Sequence, residues 1–308
     1  MKAKLCAPII PLLLILTFGC EKPQMNKLQT AKLTQQISDL SDDLNAQIGV
    51  YFYDLGTAQE FQFNAKTMMH AASTMKVPVM IELFRQAEDN KLNLTDKLLV
   101  ENKFYSIVDS SVFTLELNRD SGEALYDSLG KEVTIRRLIT DMITHSSNLA
   151  TNLLIQLVDA KNVTTTMRSL GADTIQVLRG VEDIKAFRKG WSNYTNAYDL
   201  GMIMKAIATS TAASDTSCIE MIDILSQQAF RKKIPAGIPD SVRVANKTGS
   251  ITAINHDCAI VFPPERKPYI LVVLTKGIAE PEKAESAIAA ISKSIFDDLH
   301  RRPSAGKY

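Results

Sequence analysis

Val242-Arg243-Val244-Ala245-Asn246-Lys247-Thr248, Asp257-Cys258-Ala259-Ile260-Val261-Phe262 and Tyr269-Ile270-Leu271-Val272-Val273-Leu274-Thr275 are three short apolar runs, the last two separated by Pro263-Pro264-Glu265-Arg266. Runs of this length and composition, bounded by turn residues, read as neighbouring strands. Upstream of them, from Ser73 to Gln228, the apolar period is helical: Val77 to Asn90, Ile135 to Thr144, Leu149 to Val158, Val163 to Leu170, Ala197 to Ala208 and Cys218 to Gln228. The remaining β signals, Gln47 to Tyr53 and Gln59 to Phe63, flank Asp54-Leu55-Gly56 near the other end and read as a hairpin. A lone hairpin is marginal in water. The simplest assembly is therefore an α/β fold with one antiparallel sheet built from both chain ends and an inserted all-helical lobe. An amphipathic helix on Leu28, Leu33, Ile37, Leu40 and Leu44, and a closing helix from Pro281 to Leu299, flank the sheet. The cleft between sheet and lobe is the expected site.

The composition agrees with a globular body: 308 residues, 45% apolar, with 13 Gly and 11 Pro. Disordered, collagen-like and coiled-coil chains are excluded. With 35 Lys+Arg against 34 Asp+Glu there is no basic footprint, so nucleic acid is not an expected partner. Residues 1–19 read as an export signal, with Lys2 and Lys4 before the apolar run Leu12 to Leu16 and Phe18-Gly19-Cys20 at its end. The stretch is similar to a bacterial lipoprotein signal. That resemblance implies an exported, periplasmic protein whose Cys20 carries lipid, its only membrane contact; plain secretion and a retained apolar anchor are the alternatives. Residues 20–27 then form a tether, 28–300 the folded domain and 301–308 a tail. Cys218 and Cys258, the cysteines left to the domain, read as two buried thiols, with a disulfide between them the alternative an oxidising compartment allows. Neither a CxxC pair nor an HExxH helix occurs, so no metal and no cofactor is expected. The oligomeric expectation is a monomer.

Three short motifs carry chemistry. In Ser73-Thr74-Met75-Lys76 the hydroxyl and amine share one helix face, and Pro78, tolerated only in a first turn, places the helix start near Ser73. A helix N-terminus there favours an oxyanion at Ser73 and disfavours charge on Lys76, leaving an amine able to act as a base. The same spacing recurs at Ser128 and Ser304 with Gly inside it and no apolar helix following, so the pattern alone also fits a plain helix cap. In Ser146-Ser147-Asn148, Ser146 can relay a proton to a leaving nitrogen and Asn148 can bind a substrate amide; both residues also suit a cap. In Lys247-Thr248-Gly249, Lys247 and Thr248 can hold a carboxylate and Gly249 allows close backbone approach. The N–H of Ser250 can complete an oxyanion hole with that of Ser73. The plain alternative is a strand-end turn.

The order and placement of these motifs, with Met142 to Leu154 around the second and His256-Asp257 after the third, resemble the class A serine β-lactamases and the wider penicillin-recognising serine hydrolases from Gln47 to Leu299. The resemblance implies that Ser73 is acylated with Lys76 as its base partner and Ser146 as proton shuttle. Asn148, Lys247, Thr248, Gly249 and Ser250 would bind substrate, a small β-lactam or a peptidoglycan-like peptide. Three departures fall on the second half-reaction. Glu182, in Arg179-Gly180-Val181-Glu182-Asp183, is either the water-activating base or a loop-surface carboxylate, and Ala186 stands where an Asn is usual. Ser147 replaces the usual Asp of the second motif. No acid in Trp191-Ser192-Asn193-Tyr194 can pair with Arg179 to lock the loop. Three activities remain open: β-lactam hydrolysis, a slow acylation trap or sensor, and a weak peptidase or esterase. His70, His145 and His256 read as structural, Trp191 as a loop anchor, and Met68, Met69 and Met75 as core filling. The stretch from Glu101 to Lys131 reads only as a long connection.

Overall fold

The structure, a computed structural model, describes residues 27–300. The export signal, Cys20, the tether before Lys27 and the 301–308 tail lie outside the described residues. Strands β1 (Gln47–Asp54), β2 (Glu60–Phe63), β3 (Arg243–Ile251), β4 (Ile254–Phe262) and β5 (Tyr269–Lys276) form one antiparallel sheet in the order β2-β1-β5-β4-β3. The chain ends join where β1 meets β5, from Gln47 opposite Lys276 to Asp54 opposite Tyr269. Side chains alternate along β5. Ile270, Val272 and Leu274 enter the core shared with the helical lobe. Tyr269, Leu271 and Val273 enter a second core with Ile48, Val50 and Phe52. Both faces are covered, which is why these strands are continuously apolar rather than alternating with polar residues.

Helix α1 (Lys27–Asp43) contributes Leu33 and Ile37 to that second core. The lobe contains α2 (Lys76–Glu88), α3 (Ile135–Thr144), α4 (Asn148–Val158), α5 (Ala160–Ser169), α6 (Ile184–Arg188), α7 (Ala197–Ala208) and α8 (Asp215–Ser226). Helix α9 (Pro281–His300) returns to the sheet beside α1, burying Ile288, Ile291 and Ile295. Thr134 caps α3, Ser147 caps α4, Asn196 caps α7 and Ser214 caps α8, each side chain accepting a first-turn N–H.

Two expectations change in detail. The α-helix after Ser73 begins at Lys76; Ser73 itself lies in a 3-10 turn, Ala72–Met75, so it is not the cap. Pro78 is the third residue of α2, where its missing N–H breaks no helical bond. The connection from Glu101 to Lys131 is structured: Phe104–Tyr105 pairs with Val112–Phe113, and 3-10 turns follow at Leu117–Arg119 and Glu123–Ser128. Its inner end, Arg119-Asp120, reaches the cleft.

Candidate active site

Ser73 lies between two adjoining cavities of about 350 and 740 Å³ that share Ser73, Arg119, Asn148 and Ser250 in their walls. The sheet edge approaches the turn closely here: a Cβ on Gly249 would stand 3.0 Å from Ser73 N and 3.1 Å from Thr74 N. A Cβ at 249 would force the 3-10 turn or β3 to give by a few tenths of an ångström, so the glycine lets the two backbones approach this closely. Ala72, directly before Ser73, has φ +45°, Ser146 +59° and Glu182 +62°. Left-handed conformations at non-glycine residues cost on the order of 1–3 kcal/mol each and tend to collect at functional sites.

Lys76 is fully buried. Its Nζ donates to Ser146 O at 2.5 Å, to Asn148 Oδ1 at 3.0 Å and to Ser146 Oγ at 3.2 Å. Burial first, and the neighbouring Lys247 charge second, hold its pKa well below that of an ordinary lysine. Lys247, also fully buried, donates to Ser146 Oγ at 3.1 Å and to its neighbour's carbonyl, Thr248 O, at 2.8 Å. Burial lowers its pKa to about 7. Asn148 turns its other end outward: Nδ2 donates to Glu182 Oε1 at 2.8 Å. Glu182 is half-buried, and that burial raises its pKa against the Asn148 hydrogen bond. Ser73, Lys76, Ser146, Asn148, Glu182, Lys247, Thr248, Gly249 and Ser250 thus converge around one cleft.

Asp183, the acid beside Glu182, has a different place. It accepts from Ser106 Oγ, Ile107 N and Ala186 N at 2.9 to 3.0 Å, capping α6 and tying it to the 104–113 hairpin. Ala186 buries its methyl and brings no side-chain polar group to the loop. The absent acid lock is replaced by an amide. Asn193 Oδ1 accepts from Leu178 N and Arg179 N, its Nδ2 donates to Arg179 O, and Arg179 Nε donates to Trp191 O at 2.8 Å. Trp191 therefore anchors through its carbonyl, with its ring 43% exposed, and Met68, at 41%, lines the cleft instead of the core. Met69 and Met75 are buried as expected, and His256 is a buried neutral imidazole 2.9 Å from His70 O. Cys218 and Cys258 are free buried thiols.

Sequence patterning missed four residues. Asn152 clamps the loop before Glu182, Oδ1 accepting from Val181 N at 2.6 Å and Nδ2 donating to Val181 O at 3.0 Å; its i,i+4 spacing from Asn148 is the signal that could have found it. Lys233 is buried and donates to Ser250 Oγ at 2.8 Å, adding a second cation behind Thr248. Arg119 and Asp120 arrive on the long connection. Among the described residues no cluster of three His, Cys, Asp or Glu side chains is arranged to hold a metal ion.

The model of the β-lactamase enzyme family matches residues 32–299. The chain belongs to this family. Its relatives include an imipenem-hydrolysing β-lactamase of Enterobacter cloacae, 26% identical over 282 residues and covering 86% of this chain and 88% of the relative. A β-lactamase of Bacillus amyloliquefaciens is 26% identical over 292 residues, covering 92% and 90%. Among solved structures, a β-lactamase from Sphaerobacter thermophilus superposes with TM-score 0.76 at 24% identity, covering 91% of this chain and all of that one. PBP-A superposes with TM-score 0.76 at 21% identity over 91% and 98%. A mutant of PBP-A has been solved as an acyl-enzyme complex with penicillin G. The chain thus has the fold seen in a solved class A β-lactamase, a mutant of that of the last common ancestor of Gram-negative bacteria, which superposes with TM-score 0.76 at 21% identity.

Proposed function

We propose that this β-lactamase-like hydrolase opens β-lactam amide rings through an acyl-Ser73 intermediate. The carrying observation is the chain Lys76 Nζ, Ser146 Oγ, Lys247 Nζ, with Asn148 bridging Lys76 to Glu182. The depressed pKa of Lys76 makes it easier for Nζ to give up one of the three N–H groups it donates, and the amine so formed can take the Ser73 proton as Oγ attacks the ring carbonyl. The N–H groups of Ser73 and Ser250 receive the oxyanion, and Ser146 passes a proton to the departing ring nitrogen. Lys247 and Thr248 hold the substrate carboxylate. In release, Glu182 takes a proton from water, the hydroxide attacks the ester carbonyl, and Ser73 leaves with a proton. Among the described residues no hydrogen bond joins Lys76 Nζ to Ser73 Oγ, so that proton moves only after the side chains close on substrate; geometry of this kind often tightens on binding.

Intact-mass spectra after mixing with a penicillin reporter test the reading. An adduct on the wild type that is lost in Ser73→Ala is expected; no adduct together with no turnover overturns it. One observation favours a slow-release variant of the same chemistry. Ala186 brings no polar side chain to share the water with Glu182, so the protein can act as an acylation trap, or as a weak peptidase or esterase on peptidoglycan-like peptides. The lifetime of the adduct separates these activities. We further infer an exported, periplasmic monomer held at the membrane by lipid on Cys20, with residues 1–19 removed and 28–300 as the folded domain; the basic start, short apolar run and Gly19-Cys20 support it.

A further inference from the structure

Asp120 is nine-tenths buried or more and accepts more hydrogen bonds than any ordinary turn requires. Its Oδ1 receives Gly122 N at 2.8 Å and Asn148 N at 2.9 Å; its Oδ2 receives Leu149 N at 2.8 Å, Asn148 N at 2.9 Å and, more weakly, Tyr126 Oη at 3.3 Å. The carboxylate thus sits on the first amides of α4, although it comes from a loop that begins far away in the chain. Ser147, the cap of that helix, accepts from Ala150 N, donates weakly from Oγ to Asp120 Oδ2 at 3.5 Å, and leaves the Asn148 and Leu149 amides to Asp120. The loop is packed against the cap: a Cβ on Gly122 would stand 2.3 Å from Ser147 Cβ. A side chain at 122 would collide with the cap, so the loop lies directly against Ser147.

We propose that Asp120 is the positioning residue of this site, a carboxylate supplied by the 117–122 loop that holds Asn148 in register with both Lys76 and Glu182. The inference rests on the reading of Ser73 as the acylated residue and adds what orients the groups around it. Among the described residues Asn148 is the one side chain hydrogen-bonded to both: Oδ1 to Lys76 Nζ and Nδ2 to Glu182 Oε1. Any displacement of the first turn of α4 moves the two contacts together. Asp120 therefore acts on acylation and release through one residue, without touching substrate. Its charge acts on the same pair. Lys76 faces Lys247, Asp120 and Glu182, and Asp120 raises its proton affinity against the larger lowering by burial and Lys247. Glu182 faces Arg119, Asp120 and Glu116; Asp120 and Glu116 raise its proton affinity and Arg119 lowers it. Removing the Asp120 charge lowers both values.

Asp120→Asn keeps the shape but turns an N–H₂ toward the helix amides. Acylation by a penicillin reporter and release of the adduct should both slow, by up to about a hundredfold for a displaced catalytic geometry. The ¹³C titration midpoint of the Glu182 carboxyl should fall relative to wild type, a change that a purely structural role does not produce. An unmoved midpoint, or acylation and release at wild-type rates, overturns the proposal. The double variant Asp120→Ser/Ser147→Asp returns a carboxylate to the same amides from the helix cap, in the room the loop carboxylate vacates. It should recover to within about tenfold of wild type; a folded double variant still down a hundredfold overturns the proposal even where Asp120→Asn fails to fold. A wild type that forms no adduct counts against the Ser73 reading alone, because the Glu182 midpoint still decides Asp120.

Discussion

Lys76 and Lys247 reach one hydroxyl from opposite sides: their Nζ atoms lie 3.2 and 3.1 Å from Ser146 Oγ. Two buried cations sharing one acceptor cannot both be fully protonated without large cost, so each proton held by one disfavours a proton on the other. The pair can thus present one neutral amine toward Ser73 and one ammonium toward a carboxylate, with Ser146 between them as the conductor.

The first prediction is a pH profile. Lys247 has its pKa lowered to about 7 by burial, so its ammonium is present below that value and lost above it. For a penicillin bearing a carboxylate, kcat/KM should fall as pH rises through about 7, because this ratio reports the free enzyme. Lys247→Gln should abolish that limb and raise KM roughly tenfold to a hundredfold, the loss of a charge-assisted hydrogen bond. It also removes a charge that lowers the pKa of Lys76, so the acidic limb should move to higher pH. A basic limb that persists in Lys247→Gln assigns it to another group.

Asn193 is the second test. Its buried amide makes three hydrogen bonds to the backbone at Leu178 and Arg179, in the loop that carries Glu182. Asn193→Ala leaves those main-chain groups unpaired, at a cost of about 1–3 kcal/mol each where water cannot reach them. The melting temperature should fall, and the acyl adduct should persist longer while its formation is little changed. Calorimetry and an adduct time course check the two effects separately; accelerated release would show that the amide is not the loop's lock.

The large elements were legible for identifiable reasons. Periodicity bounds α3 at Ile135–Thr144 and α7 at Ala197–Ala208 correctly: α3 exposes Arg136 and Arg137 beside an apolar buried face, and α7 is a largely apolar run with no exposed position. The sheet was legible because Tyr269 to Leu274 is apolar throughout, as a strand covered on both sides must be. The clustering of the candidate site was legible because Ser73 and Lys76, or Lys247 and Gly249, are close in the chain. Asp120 and Lys233 were not: Asp120 meets Asn148 across 28 positions and Lys233 meets Ser250 across 17, and neither has a local pattern to mark it. Asn193 was passed over because an acid was sought to pair with Arg179, whereas this amide both accepts from and donates to the backbone at Leu178 and Arg179. Trp191 anchors the loop as read, but through its carbonyl, which every residue has, and not through its ring.

A third prediction concerns attachment. If Cys20 is lipidated, Cys20→Ser should move the protein from membrane to soluble fractions while penicillin labelling of Ser73 is unchanged, since Cys20 precedes the first helix by several residues. Unchanged fractionation would assign the membrane contact to something other than lipid at this residue.

The last prediction separates the two acids of the loop. Glu182 faces the cleft, bonded to Asn148 and raised in pKa by burial, whereas Asp183 is spent on Ser106, Ile107 and Ala186. Glu182→Gln should still acylate but hold the adduct longer by a factor on the order of a hundred or more, the usual cost of losing a general base. Asp183→Asn removes the α6 cap and a buried tie to the 104–113 hairpin, so it should destabilise the fold by about 1–2 kcal/mol, with a smaller effect on release. Time-resolved mass spectra of the adduct and thermal melts of both variants decide the assignment. Equal adduct lifetimes in wild type and Glu182→Gln would remove Glu182 from the mechanism. A wild-type adduct that is itself long-lived would make trapping, rather than turnover, the working activity of this site, because the one carboxylate placed to activate water would then be failing to do so.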